Sequence, residues 1–137
     1  MRYKKFFVTG AKGFIGSTLC SFLEESNQNV VKVDFYSEGS TFELTPQDMI
    51  SRFQREEKDD KSGILIHVGA DSNASAKNLS EIMHKNIELT KDLFYAANKS
   101  GIPGIFISSS AVYGNNRLEA MDSTVGNPYA VSKKIGE

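Results

Sequence analysis

Cysteine is nearly absent: Cys20 is the single thiol in 137 residues, so no disulfide can close within the chain. Its place in the first predicted helix reads as packing rather than redox chemistry. Histidine is scarce too, and the two present form no cluster with Cys20 at metal-ligand spacing, so no metal is expected. No sign of charge dominates. Sixteen basic against seventeen acidic residues leave a net charge of -1, which offers no electrostatic footprint for a nucleic acid. No apolar run approaches the ~18 residues of a membrane span. The stretch following Met1 to Lys5 is too short for a signal peptide, so a cytoplasmic protein without membrane contact is expected. What is present is ordinary: 39% hydrophobic and 24% charged residues suit a globular chain. Residues 1–137 are one domain's worth, enough to bury roughly two-thirds of the unfolded surface in one core.

Against that background one stretch stands out, Thr9-Gly10-Ala11-Lys12-Gly13-Phe14-Ile15-Gly16, with three glycines spaced three apart. The apolar run Phe6-Phe7-Val8 before it suits a buried strand. After it Phe14, Ile15, Thr18, Leu19, Phe22 and Leu23 recur at helical spacing, which predicts the face that this helix lays on the sheet. Gly10 permits a tight turn, Gly13 a close approach of the backbone to a pyrophosphate, and Gly16 a close crossing of helix and strand. The anion then rests on free N–H groups at the positive end of a helix. The spacing differs from the commoner G-x-G-x-x-G, and glycines alone are a weak signal. Context strengthens it. A second strand at Val30 to Asp34 ends in an aspartate 24 positions after Gly10, where such a fold places the acid that binds the adenosine ribose. A carboxylate there repels a 2′-phosphate, so NAD is favoured over NADP.

Further on, Thr41 to Leu44 suits a short third strand, and Thr45-Pro46 opens a capped helix that carries Met49, Ile50 and Phe53. The run Arg55 to Lys61 reads as a solvated helix end or loop. Gly63 to Ala70 returns to a buried strand that ends in small residues with room for a ligand, and His67 within it reads as a satisfied core or loop-edge histidine rather than a catalyst. Asp71 to Asn78 reads as a polar loop. A long helix then carries Ile82, Asn86, Leu89, Leu93 and Ala97, and Lys99-Ser100-Gly101 stops it. A fifth strand, Ile105 to Ile107, runs into Ser108-Ser109-Ser110. The alternation predicts an α/β doubly wound parallel sheet in the order 3-2-1-4-5. Its strands' carboxyl ends, where ligands gather, then carry Thr9, Asp34, Gly69 and Ser108 to Ser110.

The last informative stretch is Asn127-Pro128-Tyr129-Ala130-Val131-Ser132-Lys133. Proline suits the first position of a helix, and Tyr129 and Lys133 then share a face. An ammonium beside a phenol favours the phenolate, as a tyrosine general base requires. Lys133 could also hold the nicotinamide ribose, and Ser109 could hydrogen-bond the same substrate oxygen. These groups fit oxidation of an alcohol to a ketone by a nicotinamide cofactor. Tyr-x-x-x-Lys alone is a cheap pattern; the order of glycine loop, aspartate, serine strand end and tyrosine helix is much harder to produce by accident.

Taken together these residues resemble the NAD-dependent epimerase/dehydratase family of the extended short-chain dehydrogenase/reductase superfamily, which acts on nucleotide sugars. The matching motifs are Thr9-Gly10-x-x-Gly13-Phe14-Ile15-Gly16, Asp34, Ile66 to Ala70, Asn86, Ser108-Ser109-x-x-Val112-Tyr113-Gly114 and Pro128-Tyr129-x-x-Ser132-Lys133. The resemblance implies a Rossmann-like fold. It implies Ser109, Tyr129, Lys133 and Asn86 as catalytic residues, Asn86 as the helix residue that supports the site. The cofactor would be held by Thr9, Gly10, Lys12, Gly13, Phe14, Ile15, Gly16, Asp34, Gly69, Ala70, Ser108, Tyr129 and Lys133. Within the family, Ile66 to Ala76 and Ser108 to Asn115 look like the sugar-nucleotide heptose epimerases. Gly69-Ala70 departs from the usual pair of alanines, and the segment between strands two and four is shorter than usual. Members of the family continue well beyond such a length, so the later strands and the substrate lobe would lie outside these residues. The function implied is epimerisation or dehydration through transient oxidation of a sugar hydroxyl. The alternative is a non-catalytic dinucleotide-binding module or an inactive truncated fragment; the Val112-Tyr113-Gly114 signature disfavours a simple ketoreductase. An open apolar edge at strand five predicts a homo-oligomer, formed through that edge or the last two helices.

Overall fold

The computed structural model describes residues 3–34, 44–55, 60–72, 79–113 and 128–137. They form two compact units, one of Met1–Gly69 with Asp92–Phe106 and one of Ala70–Lys91 with Ile107–Glu137.

The first unit holds a parallel sheet in the order β2-β1-β3-β4, made of β1 (Lys5–Thr9), β2 (Val30–Val33), β3 (Gly63–His67) and β4 (Gly104–Phe106). All five residues of β3 are buried, as expected of a central parallel strand covered on both faces. The register aligns Thr9 with Val33 on one side and with His67 on the other, and His67 with Phe106. All four strands therefore end on one line, and whatever follows them in sequence emerges together. Of the expected third strand, residues 41–43 lie outside the described residues; Leu44 makes a parallel bridge to Val33, and Asp34 N–H donates to its carbonyl at 3.1 Å. This is the outer position that the order 3-2-1-4-5 assigns. Strand five sits one residue earlier than expected, and Ile107 has left the ladder.

Three helices belong to these strands. α1 (Phe14–Glu25) buries Gly16, Cys20 and Leu23. This corrects the expected face, because Phe14 is 89%, Ile15 58% and Phe22 65% exposed. The reason is steric. A Cβ at residue 16 would stand 2.0 Å from the Gly10 carbonyl oxygen, so only a glycine can point at the loop. Residues 16, 20 and 23 share one face, and the bulky row 14, 18, 22 falls on the other. α2 (Pro46–Gln54) begins with the expected cap: Asp48 N–H donates to Thr45 Oγ1 at 3.1 Å, and Thr45 N–H to Asp48 Oδ2 at 3.0 Å. It buries Met49, Ile50 and Phe53, and Phe53 meets Phe7 edge to face at 5.1 Å. α4 (Leu89–Lys99) stops where expected, at Gly101 with φ +71°, as Ile102 N–H turns back to the Ala97 carbonyl at 2.9 Å.

The second unit contains α3 (Leu79–Met83), a π-helical segment His84–Glu88, a 3-10 turn Ser110–Tyr113 and α5 (Pro128–Gly136). α5 opens on its proline, as expected, and packs on α3, the π segment and the 3-10 turn. No helix among the described residues is long and apolar enough to cross a membrane.

Candidate functional site

In the first unit the glycine stretch is a turn with no room for a side chain at residues 10 and 16. Gly10 has φ +68°, and a Cβ there would lie 2.6 Å from the Gly69 α-carbon. The turn is sewn to the end of β2: Ala11 N–H donates to the Val33 carbonyl at 3.3 Å and Lys12 N–H to Asp34 Oδ2 at 2.7 Å. Gly13 caps α1 in an extended conformation with no side chain bonded to the first turn. The helix start thus presents N–H groups without a side-chain partner to satisfy them, the arrangement that receives an anion. The Lys12, Phe14 and Ile15 side chains point outward around it. Gly69 N–H donates to Thr9 Oγ1 at 3.1 Å, and that oxygen lies 2.6 Å from His67 Nδ1. His67 is a satisfied core residue, its ring stacked on Phe106 at 5.9 Å and edge-on to Phe94 at 6.0 Å.

In the second unit Asn86 is the hub. Its Oδ1 accepts Asp71 N–H at 2.7 Å, while Nδ2 donates to the Asp71 carbonyl at 3.0 Å and to Ser132 Oγ at 2.9 Å. Ser132 Oγ donates in turn to the Tyr129 carbonyl at 2.7 Å. Asn86 sits in the middle of the π segment, where Leu89 N–H reaches back five residues to the His84 carbonyl. Such a wide turn costs helical hydrogen-bond geometry and recurs at functional positions. Lys133, four residues after the half-buried Tyr129, is 2% exposed and donates to the Ile107 carbonyl at 2.5 Å. Burial lowers its pKa from the ordinary lysine value, and the nearby Glu137 carboxylate pulls the other way. Ser109 caps the 3-10 turn: its Oγ accepts Ala111 N–H at 3.2 Å and its carbonyl Val112 N–H at 3.1 Å. Ser108 donates to Glu137 Oε1 at 2.5 Å.

The structure therefore joins Gly10, Lys12, Asp34 and Gly69 in the first unit, and Asn86 with the Tyr129 turn in the second. Ala70 opens the second unit. Gly114, Asn115 and Asn127 lie outside the described residues. Two participants went unread in sequence, Ser132 as the partner of Asn86 and the Thr9–His67 pair. Ser132 had a signal, since it stands three residues after Tyr129, on the same side of a helix. Among the described residues no group of histidine, cysteine and carboxylate side chains could hold a metal ion.

A parallel sheet whose first strand feeds a glycine turn and an uncapped helix start, with an acid just past the second strand, defines a Rossmann-like fold. Residues 6–137 match the NAD dependent epimerase/dehydratase family, and the chain belongs to that family. The ADP-L-glycero-D-manno-heptose-6-epimerase of Pseudomonas paraeruginosa is 31% identical over 121 residues, which covers 80% of this chain and 36% of that protein. Among solved structures, UDP-glucuronic acid 4-epimerase from Bacillus cereus in complex with NAD is 27% identical, with a TM-score of 0.74 over 96% of this chain and 49% of its own. UDP-glucose 4-epimerase from Thermotoga maritima, 24% identical, shares the fold with a TM-score of 0.78 over 96% of this chain and 48% of its own. The chain spans 36% of that heptose epimerase's length and about half of each solved structure's.

Proposed function

We propose that this chain is the cofactor-binding and acid–base portion of an NAD-dependent nucleotide-sugar epimerase or dehydratase. The observation that carries the reading is the side-chain-free turn at Gly10 and Gly16, tied by Lys12 N–H to the Asp34 carboxylate. The amides from Phe14 to Gly16 would take the diphosphate, with Thr9, Gly10, Lys12 and Gly13 shaping the turn, in which Gly13 N–H donates to the Gly10 carbonyl at 3.0 Å. Asp34 would accept the adenosine ribose hydroxyls. Gly69, Ala70 and Ser108 would leave space at the strand exits, and Lys133 would hold the nicotinamide ribose. Bound there, NAD supplies a place for a hydride to go to and return from.

The remaining chemistry belongs to the chain's own side chains. Tyr129 takes the proton from a sugar hydroxyl as its carbon is oxidised to a ketone, and returns it on reduction. Ser109 holds the same oxygen by a hydrogen bond, and the Lys133 ammonium favours the tyrosinate. Asn86 fixes the turn that carries Tyr129 by way of Ser132. The substrate class, nucleotide sugars, follows the family and its named relatives.

Titration of the chain with NAD and with NADP tests the cofactor. NAD should bind at least roughly tenfold more tightly, because the Asp34 charge opposes a 2′-phosphate, and Asp34→Arg should reverse the order. Equal affinities in both proteins overturn the preference. In a longer polypeptide that turns over a sugar nucleotide, Tyr129→Phe should slow the reaction by on the order of 10²–10⁴; undiminished turnover removes Tyr129 from its role.

A further inference from the structure

Thr9 and His67 are the last residues of neighbouring strands, set side by side by the register of β1 and β3. Both are buried, and Thr9 Oγ1 lies 2.6 Å from His67 Nδ1. The same oxygen accepts Gly69 N–H at 3.1 Å. A hydroxyl has one proton and two lone pairs, so donation to Nδ1 leaves it free to accept from Gly69. Phe94 and Phe106 flank the imidazole ring and hold it in place beside that hydroxyl.

The consequence lies just past the strand ends, at Gly10, one residue after Thr9, and Gly69, two residues after His67. Gly69, held by its N–H, brings its α-carbon to within 2.6 Å of where a Cβ on Gly10 would stand. A Cβ on Gly69 would stand 3.1 Å from Gly10 N and 3.2 Å from Thr9 Oγ1. The exit of β3 therefore forms the wall on which the Gly10 turn rests, and the Thr9 hydroxyl fixes that wall. We infer that His67 is a positioning residue of the cofactor cradle: by holding the Thr9 hydroxyl, it sets Gly69 against Gly10 and so fixes the turn that meets the diphosphate. This rests on the NAD-binding reading above.

The test is NAD titration of the whole chain beside four variants, with a melting curve for each. His67→Phe keeps a ring for Phe94 and Phe106 but removes the acceptor; Thr9→Val keeps the shape but removes the hydroxyl. Each should weaken NAD binding roughly tenfold or more, the usual cost of stranding a buried partner. His67→Asn, whose amide oxygen can stand near the position of Nδ1, and Thr9→Ser should stay within about threefold of the parent. A purely structural role would lower the melting temperature of the first pair and leave the affinity of the folded protein intact, which overturns the inference. If His67→Phe does not fold, the Thr9→Val and Thr9→Ser pair decides, and equal affinity for those two also overturns it. If the parent binds NAD and every folded variant matches it, only this inference fails. If the parent binds no NAD, the cofactor reading fails and takes this one with it.

Discussion

Asp60 is buried at the end of the sheet away from the glycine turn, and three donors converge on it: Lys5 Nζ at 2.7 Å, Arg52 Nε at 2.6 Å and Arg52 Nη2 at 2.8 Å. Burial alone would raise its pKa, but the Arg52 and Lys5 hydrogen bonds and charges outweigh that, and the net shift is downward. A carboxyl lowered on folding adds stability that is complete above the ordinary aspartate range. That contribution fades as the pH falls through about 4 and then through the lower folded value. Asp60→Asn should therefore cost about 3 kcal/mol near neutral pH, the low end for removing one partner of a buried ion pair, since it takes away the charge that Lys5 and Arg52 both bond to, and should flatten the acid limb of a stability-versus-pH curve. Chemical denaturation at several pH values measures both. At this scale the sequence was legible where structure is local. Gly10 and Asp34 are recognisable because the tight turn and the strand end they occupy follow from short-range spacing, and the Lys12 N–H joins the two. The Lys5–Asp60, Thr9–His67 and Asn86–Ser132 pairs were not legible, because their members lie 55, 58 and 46 positions apart and only the fold brings them together.

Among the elements, α1 teaches most. Its periodicity placed a helix correctly, yet the bulky apolar residues turned out to face outward, because the crossing over the Gly10 turn admits no side chain at residue 16. Hydrophobic spacing records an apolar stripe but not which neighbour sets the closest approach. The two glycines of the helix start should consequently differ. Gly16→Ala pushes a methyl into backbone and should cost at least the upper end of the roughly 1–3 kcal/mol range for overpacking, with loss of NAD binding. Gly13→Ala meets its nearest atom, the Gly10 carbonyl oxygen, at 3.3 Å and has φ -68°, so it should fold and melt close to the parent. Melting curves of the two variants separate these outcomes. α2 and α5 were legible for the opposite reason: Thr45, Asp48 and the prolines Pro46 and Pro128 are end signals that act on their own helix. The π segment had no such signal: its extra residue moves the buried position from the expected Leu89 to Thr90, a shift that the apolar spacing of Ile82, Leu89 and Leu93 does not announce.

For the molecule as a whole, a net charge of -1 supplies little repulsion between copies. Among the described residues β4 is an edge of the sheet, and Ile105 on it is 45% exposed. An open strand of this kind is a template for pairing, so the chain is expected to self-associate. Sedimentation velocity over a hundredfold concentration range should show a growing share of larger species, and a monomer at every concentration would count against it. The order of the four strands of the sheet could be anticipated because the α/β alternation leaves few topologies open. Cys20 gives the molecule an internal clock. It is the single thiol, it faces the sheet from α1, and desolvation raises its pKa above the ordinary thiol value although the Lys32 charge pulls it down. A thiol reagent can reach it only when that helix lifts, so the rate of colour release in a simple alkylation or exchange assay times the opening of the layer that carries the glycine turn.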